Sequence, residues 1–419
     1  MHRRFIPILF KKLPLIAAAL VFCLFGCGDD DEAAVLEEPD SAGRGAMLCS
    51  WLFAPGGAPS GFVRFVPDGE LEGGEMIDGT ARAIEIPGGM SCGFLGSSVF
   101  VHSFVGPTVT RYDLQSDGSL SEGATVSFAN FGVTSLAGGF GRTDFLFTNR
   151  AFYIDFPSLQ IVVWDPSRME TVGTISLADF QPPDDSTILT RVRAVQRDDD
   201  TLVLYGNYGT GENSAAGMKM ALLDINASEQ TLAVSEFDTR CGNLQPAVAR
   251  TLNGDIYFGP GPQAPIEDAL GLPQSFSPCS VRLLAGASDF EPSFNADLNA
   301  LTGGRPTAGP IPIANDGRAL LQAFDTESAT VDPELSSGEH LNIPNWLFFE
   351  WELGSPGPAT PVPELNGVAT FAIREFDERW FVAQVGPDFS VDLIDLTVSP
   401  REPTYSFSSV PTNLMRIDP

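Results

Sequence analysis

The chain has 419 residues, of which 43% are hydrophobic and 19% charged, so it can bury a sizeable core and does not read as disordered. With 24 Lys and Arg against 54 Asp and Glu its formal charge is −30, which argues against nucleic acid as a partner because phosphate binding needs a basic footprint. The 42 Gly and 33 Pro point to many turns, and one large all-β domain suits this length as well as two smaller ones do.

His2, Arg3, Arg4, Lys11 and Lys12 precede an apolar run from Leu13 to Phe25, too short to span a bilayer comfortably, and residues 1–26 read as a signal peptide. The run ends in Leu24-Phe25-Gly26-Cys27, which looks like a lipobox: a small residue before the cysteine permits cleavage, and Cys27 is expected to carry the lipid as first residue of the mature chain. Phe25 departs from the usual small residue, and an ordinary secretory signal or an uncleaved anchor are the alternatives. Cleavage removes Cys23, four basic residues and no acid, so the mature chain is more acidic still. Residues 27–46 carry Asp29, Asp30, Asp31, Glu32, Glu37, Glu38 and Asp40 without an aromatic residue and form a solvated tether. Gly28 after the lipid site favours the outer membrane as destination.

From residue 47 to 419 no sustained helical period occurs; short β-branched and aromatic runs recur between Gly, Pro, Asn and Asp clusters. Residues 47–86 supply three strands, Leu48 to Phe53, Phe62 to Val66 and Ala81 to Ile86. A second unit spans Gly93 to Ala129. The clearest unit runs from Asp144 to Leu177, where Phe145 to Phe147, Phe152 to Ile154, Ile161 to Trp164 and Val172 to Ile175 are four strands broken at Asn149-Arg150, Pro157-Ser158 and Asp165-Pro166. Further units follow at Val192 to Phe237, Pro246 to Leu298, Pro306 to Leu365 and Val368 to Phe407. Four short strands per unit is the cadence of a β-propeller blade, and the count is about seven, with six or eight blades and a two-sheet sandwich array as rivals. Asn413 to Ile417 lies beyond the last unit and is expected to pair into the first sheet, closing the ring without a free edge.

Cys49, Cys92, Cys241 and Cys279 remain once Cys27 is lipidated, an even number that suggests two disulfides in an oxidising compartment. Of three pairings, Cys49 with Cys92 and Cys241 with Cys279 is favoured because each links neighbouring units. No C-x-x-C spacing occurs and only His102 and His340 remain in the mature chain, so neither a metal nor a cofactor is expected.

Gly89-Met90-Ser91-Cys92-Gly93 fits G-x-S-x-G, but no strand-to-helix pattern surrounds it and His340 is the sole later histidine, so it reads as a turn entering a strand. Asp198 to Asp200, Asp117-Gly118, Asn253 to Asp255 and Asn315 to Gly317 read as hairpin turns rather than calcium loops. No catalytic constellation emerges, and the chain is expected not to be an enzyme. The long connections at residues 131–142, 178–190, 207–217, 259–278 and 325–345 gather on one face of a propeller, the expected binding surface. Arg142, Arg191, Arg240 and Arg305 sit in or beside these loops, where guanidinium groups suit an anion; ordinary pairing with surface acids is the competing reading. Trp346 and Trp351 flank Phe348 and Phe349, and one of the tryptophans, Trp346 above all, is a candidate to stack on a ligand, with core burial the alternative.

Several segments carry a family resemblance: Gln160-Ile161-Val162-Val163-Trp164-Asp165-Pro166-Ser167-Arg168-Met169-Glu170, Arg282 to Pro292, Asn299 to Arg305, Arg240-Cys241-Gly242 and Pro278-Cys279. Together they resemble the accessory lipoproteins found with myxochelin iron-transport genes, which are similar to propeller lipoproteins accompanying siderophore receptors. The resemblance implies a propeller that binds a ferric siderophore, with an outer-membrane receptor as partner and membrane attachment through the lipid. The rivals are a protein-interaction scaffold at the envelope and a loop-borne hydrolase or lyase.

Overall fold

The computed structural model describes residues 43–52, 60–136, 144–197, 199–210, 213–245, 248–271, 278–314, 316–328, 332, 340, 343–367, 373–386, 389–398 and 401–418. Seven small antiparallel sheets follow one another along the chain. Blade 1 takes β1 (Gly45–Leu52), β2 (Ser60–Pro67) and β3 (Ile84–Ile86). Blade 2 is β4 (Met90–Leu95), β5 (Ser98–Ser103), β6 (Thr108–Leu114) and β7 (Leu120–Ser127). Blade 3 is β8 (Asp144–Phe147), β9 (Arg150–Asp155), β10 (Gln160–Asp165) and β11 (Glu170–Ser176). Blade 4 has β12 (Ile188–Arg197), β13 (Thr201–Thr210) and β14 (Asn213–Asp224). Blade 5 has β15 (Ala249–Arg250), β16 (Ile256–Phe258), β17 (Cys279–Leu283) and β18 (Ala296–Asp297). Blade 6 has β19 (Thr307–Pro312), β20 (Arg318–Phe324), β21 (Trp346–Glu352) and β22 (Thr360–Pro361). Blade 7 has β23 (Ile373–Phe376), β24 (Arg379–Val385), β25 (Val391–Asp395) and β26 (Pro403–Phe407). The last strand, β27 (Val410–Ile417), returns to pair with β1 from Gly45↔Ile417 to Trp51↔Val410, so blade 1 has the order β27-β1-β2-β3. The fold is a seven-bladed β-propeller closed by its C-terminal strand, as the repeat cadence predicts.

Why these strands are near-continuous apolar runs follows from where they sit. Each sheet has a neighbour on both faces, and one apolar core fills each of the seven blade junctions. In β10, Ile161 and Val163 enter the junction with blade 4 while Val162 and Trp164 enter that with blade 2, so Ile-Val-Val-Trp is a two-sided strand and cannot alternate with polar residues. The outermost strand β11 faces water on one side, and its burial alternates accordingly.

Strands β27, β4, β8, β12, β15, β19 and β23 stand first in their sheets, and those of neighbouring blades touch at several junctions, which places them around the axis. Connections from each fourth strand to the next first strand, and those joining second to third strands, leave on one face, here called the loop face. The opposite face receives the start of β1 and the end of β27, where Arg44 Nε lies 3.0 Å from an oxygen of Asp418.

Two readings of the chain need revision. The segment 207–217 is mostly strand, because β13 runs to Thr210 and β14 starts at Asn213; buried Tyr208, whose hydroxyl donates to Phe180 O at 2.6 Å, carries the hairpin past the expected turn. The expected fourth strand of blade 4, Leu232 to Phe237, forms no regular ladder: Ser235 N donates to Met220 O and Asp238 exchanges bonds with Met218, but the stretch between remains irregular. The short helices α1 (Asp68–Leu71), α2 (Gln263–Ala269) and α3 (Leu298–Leu301) lie in the connections.

The disulfides are Cys49–Cys92 and Cys241–Cys279, the favoured pairing. The first ties β1 to β4 beside the closing seam, and the second ties the exit of blade 4 to β17 of blade 5. Two disulfides place the folded chain in an oxidising environment outside the cytoplasm. Among the described residues no helix is long and apolar enough to cross a membrane.

Candidate functional site

The first strand of blade 4 reads Thr190-Arg191-Val192-Arg193-Ala194-Val195. A strand turns successive side chains to opposite faces. Val192 and Ala194 fill the junction with blade 3, and Val195 fills the junction with blade 5, so Arg191 and Arg193 share the blade 5 side in the half of β12 nearer the loop face. Arg193 is 8% exposed, its Nη1 donates to Gln245 Oε1 at 2.9 Å, and its Nε is buried without a hydrogen-bond partner. The Arg191 side chain is half-buried and makes neither an ion pair nor a hydrogen bond with the described residues.

Burial lowers the affinity of Arg193 for its proton to a pKa of about 10; the Tyr205 phenol opposes this and the positive charge of Arg191 adds to it. Burial lowers that of Arg191 as well. Among the described residues no carboxylate contributes to either, although the chain carries 54 acids. A buried, unpaired charge costs several kcal/mol by the usual desolvation argument, roughly the worth of a whole salt-bridge network. Arg193, buried, and Arg191, half-buried, stand side by side with no carboxylate partner among the described residues.

The wall facing them is rigidly built. Gln245 N donates to Gly259 O at 2.9 Å, and Gln245 O accepts from the Tyr205 hydroxyl at 2.9 Å. Next to it Leu244 N and O are both taken by the Asn207 carboxamide, at 2.8 and 2.9 Å. Cys241–Cys279 pins the start of the same segment.

The residues singled out in the sequence fare differently. Cys27 and Arg142 lie outside the described residues. Arg240 is saturated: it holds Asp238 at 2.6 Å and donates to the carbonyls of Glu291, Pro292 and Phe294, tying blade 4 to the outer part of blade 5. Arg305 stands at the loop face but pairs with Glu327 at 2.8 Å and with Thr302 O. Trp346 is fully buried against Phe324, with Nε1 donating to His340 O, and Trp351 is likewise in the core. Arg240 and Arg305 are thus each engaged within the chain, and neither tryptophan has a face open to a ligand. Arg193, which the loop-centred reading passed over, is the residue that pairs with Arg191.

Gly89 to Gly93 is a turn entering β4, and Cys92 is in a disulfide, so the G-x-S-x-G spacing belongs to a hairpin strand. Gly118, Asp200, Gly254 and Gly317 have φ of 80°, 55°, 89° and 92°, the left-handed geometry of hairpin turns. Among the described residues no group of three metal-ligating side chains occurs. Two surface hollows, of about 330 Å³ beside Glu375, Glu378, Met415 and Asp418 and about 260 Å³ beside Asn295, Leu301 and Trp351, lie apart from the arginine pair.

No protein-family model matches the chain, and no curated protein resembles it significantly in sequence. Its fold is shared with solved structures. A protein of Bacteroides fragilis named as a 6-phosphogluconolactonase matches over 90% of this chain and 99% of its own, with a TM-score of 0.51 at 11% identity. A protein of the same name from Bacteroides uniformis covers 89% and 99%, with a TM-score of 0.50 at 10% identity. At such identity the likeness establishes the fold. It also corrects the expectation that the chain is not an enzyme: these neighbours carry an enzyme's name on the same ring, so the missing hydrolase motif does not argue against catalysis.

Proposed function

We propose that this protein is an envelope lipoprotein, lipidated at Cys27, whose propeller binds a small anionic ligand at the loop face between blades 4 and 5. The observation that carries the reading is the Arg191–Arg193 pair, buried to different degrees and without a carboxylate partner among the described residues of a chain of formal charge −30. An acidic protein repels anions at long range, so it needs a local, preformed cationic seat to hold one. The ligand class that the family resemblance favours is a ferric siderophore, whose catecholate oxygens are anionic and whose flat rings stack well on guanidinium groups. An outer-membrane receptor is the partner this reading implies.

Titration of the purified domain with ferric catecholates, followed by tryptophan fluorescence, tests the ligand. Saturable quenching is expected, weakened by about a hundredfold or more in an Arg191→Ala, Arg193→Met variant, since two charge-assisted contacts of about 1.5–3 kcal/mol each are removed. Absence of quenching sinks the siderophore reading. Mass spectrometry of the recovered ligand reads any chemical change in the same samples. Intact-mass analysis of the protein from native membranes is expected to show a lipidated chain beginning at Cys27; an unmodified chain beginning elsewhere removes the anchor.

A further inference from the structure

Among the described residues, Arg193 has the Gln245 carboxamide as its hydrogen-bond partner. Because Oε1 faces the guanidinium, Nε2 is left as an additional donor beside it. A carboxylate at this position would differ by one atom and would neutralise Arg193 where it stands. The fold instead holds an amide there at some expense. The Gln245 backbone is bonded on both sides, and Gly261 comes so close that a Cβ added to it would stand 2.2 Å from Gln245 Nε2 and 2.3 Å from its Cδ. Gly261 has ordinary backbone torsions, so close approach is the reason for glycine at this position.

We propose that Arg191, Arg193 and Gln245 form a seat for one anionic oxygen group of the ligand, a catecholate, carboxylate, phosphate or sulfate, and that Gln245 sets its specificity by keeping the seat cationic. The inference rests on the loop-face reading above and assigns the group that the ligand must carry. Arg193 Nη1 is spent on Gln245 and its Nε is fully buried, which leaves Nη2, the donors of Arg191 and the Gln245 amide for the oxygens. A bound oxyanion supplies the missing countercharge.

The test uses the whole mature domain with inorganic phosphate, sulfate and citrate as probes, each against chloride at equal ionic strength. Thermal melting of the wild type is expected to rise with at least one of the three, since a ligand that binds only the folded state stabilises it. Gln245→Glu provides the countercharge internally: it is expected to melt higher than the wild type in chloride and to lose the anion-dependent rise. Gly261→Ala, which pushes Gln245 aside without touching an arginine, is expected to weaken anion binding about tenfold by calorimetry, the effect of one displaced hydrogen-bonding group. If Gly261→Ala does not fold, Gln245→Glu decides alone. Equal melting of the wild type in all salts, or an unchanged anion affinity in Gln245→Glu, overturns the seat. Phosphate or sulfate binding lost in Gln245→Glu, together with no response to ferric catecholates, upholds the seat and dismisses the siderophore.

Discussion

His102 lies in the junction of blades 2 and 3, its ring 6.4 Å from that of Tyr153 and 6.5 Å from that of Trp164. Complete burial pushes its pKa down to about 3. In the unfolded chain the value is about 6.5, so below that pH the unfolded state takes up a proton that the folded state refuses, and stability falls between pH about 6.5 and 3 by about 1.4 kcal/mol per unit. Denaturant unfolding at pH 7 and pH 5 is expected to show that His102→Phe shrinks the stability difference between the two pH values by about 2 kcal/mol, whatever the substitution itself costs in packing. An unchanged difference would show that this histidine titrates alike in both states. Residue by residue, the site was less legible than the fold. Loop position drew attention to Arg240 and Arg305, yet an acidic chain provides such partly exposed cations with local partners, Asp238 and Glu327. The signal for Arg193 is its spacing of two from Arg191 on a strand whose alternate residues are Val192 and Ala194, and it is hidden when the repeat unit is begun at Val192, because the strand starts at Ile188.

Strand β27 is the element on which closure depends, for it pairs with β1 along nearly its whole length and Asn413 Nδ2 donates to Cys92 O of β4, joining blade 1 to blade 2. Deleting Asn413 to Pro419 is expected to lower the melting temperature of the whole domain and to promote aggregation through the bared edge of β1, measured by calorimetry and light scattering. A truncated protein that melts within a degree or two of the intact one would show that closure does not depend on this strand. Elements were readable where burial on both faces forces apolar runs between turn residues, as in blade 3, whose four strands fall where Asn149-Arg150, Pro157-Ser158 and Asp165-Pro166 separate them. Blade 4 was less readable at its outer edge: Leu232 is buried but the stretch to Asp238 bonds to Met218 and Met220 only at intervals, so an apolar alternation in the sequence did not become a ladder. The helix α2 gives no lasting 3.6-residue signal because it is only Gln263–Ala269 long.

At the scale of the molecule, stability comes from seven junctions arranged in a circle, each of which needs its neighbours in place. Cys49–Cys92 spans the junction of blades 1 and 2, with its cysteines 43 positions apart in the chain. Replacing both cysteines by serine is expected to cost about 2–4 kcal/mol in denaturant unfolding, the usual range for a loop of this kind. A loss below about 0.5 kcal/mol would mean that strand pairing alone holds the seam, by comparison with that range. The pairing of Gly45 with Ile417 has another consequence. Both ends of the described ring emerge side by side on the face away from Arg191 and Gln245, so a biotin or a surface linker attached there orients every copy alike, and a sensor chip loaded through it presents the arginine seat uniformly to the flowing solution.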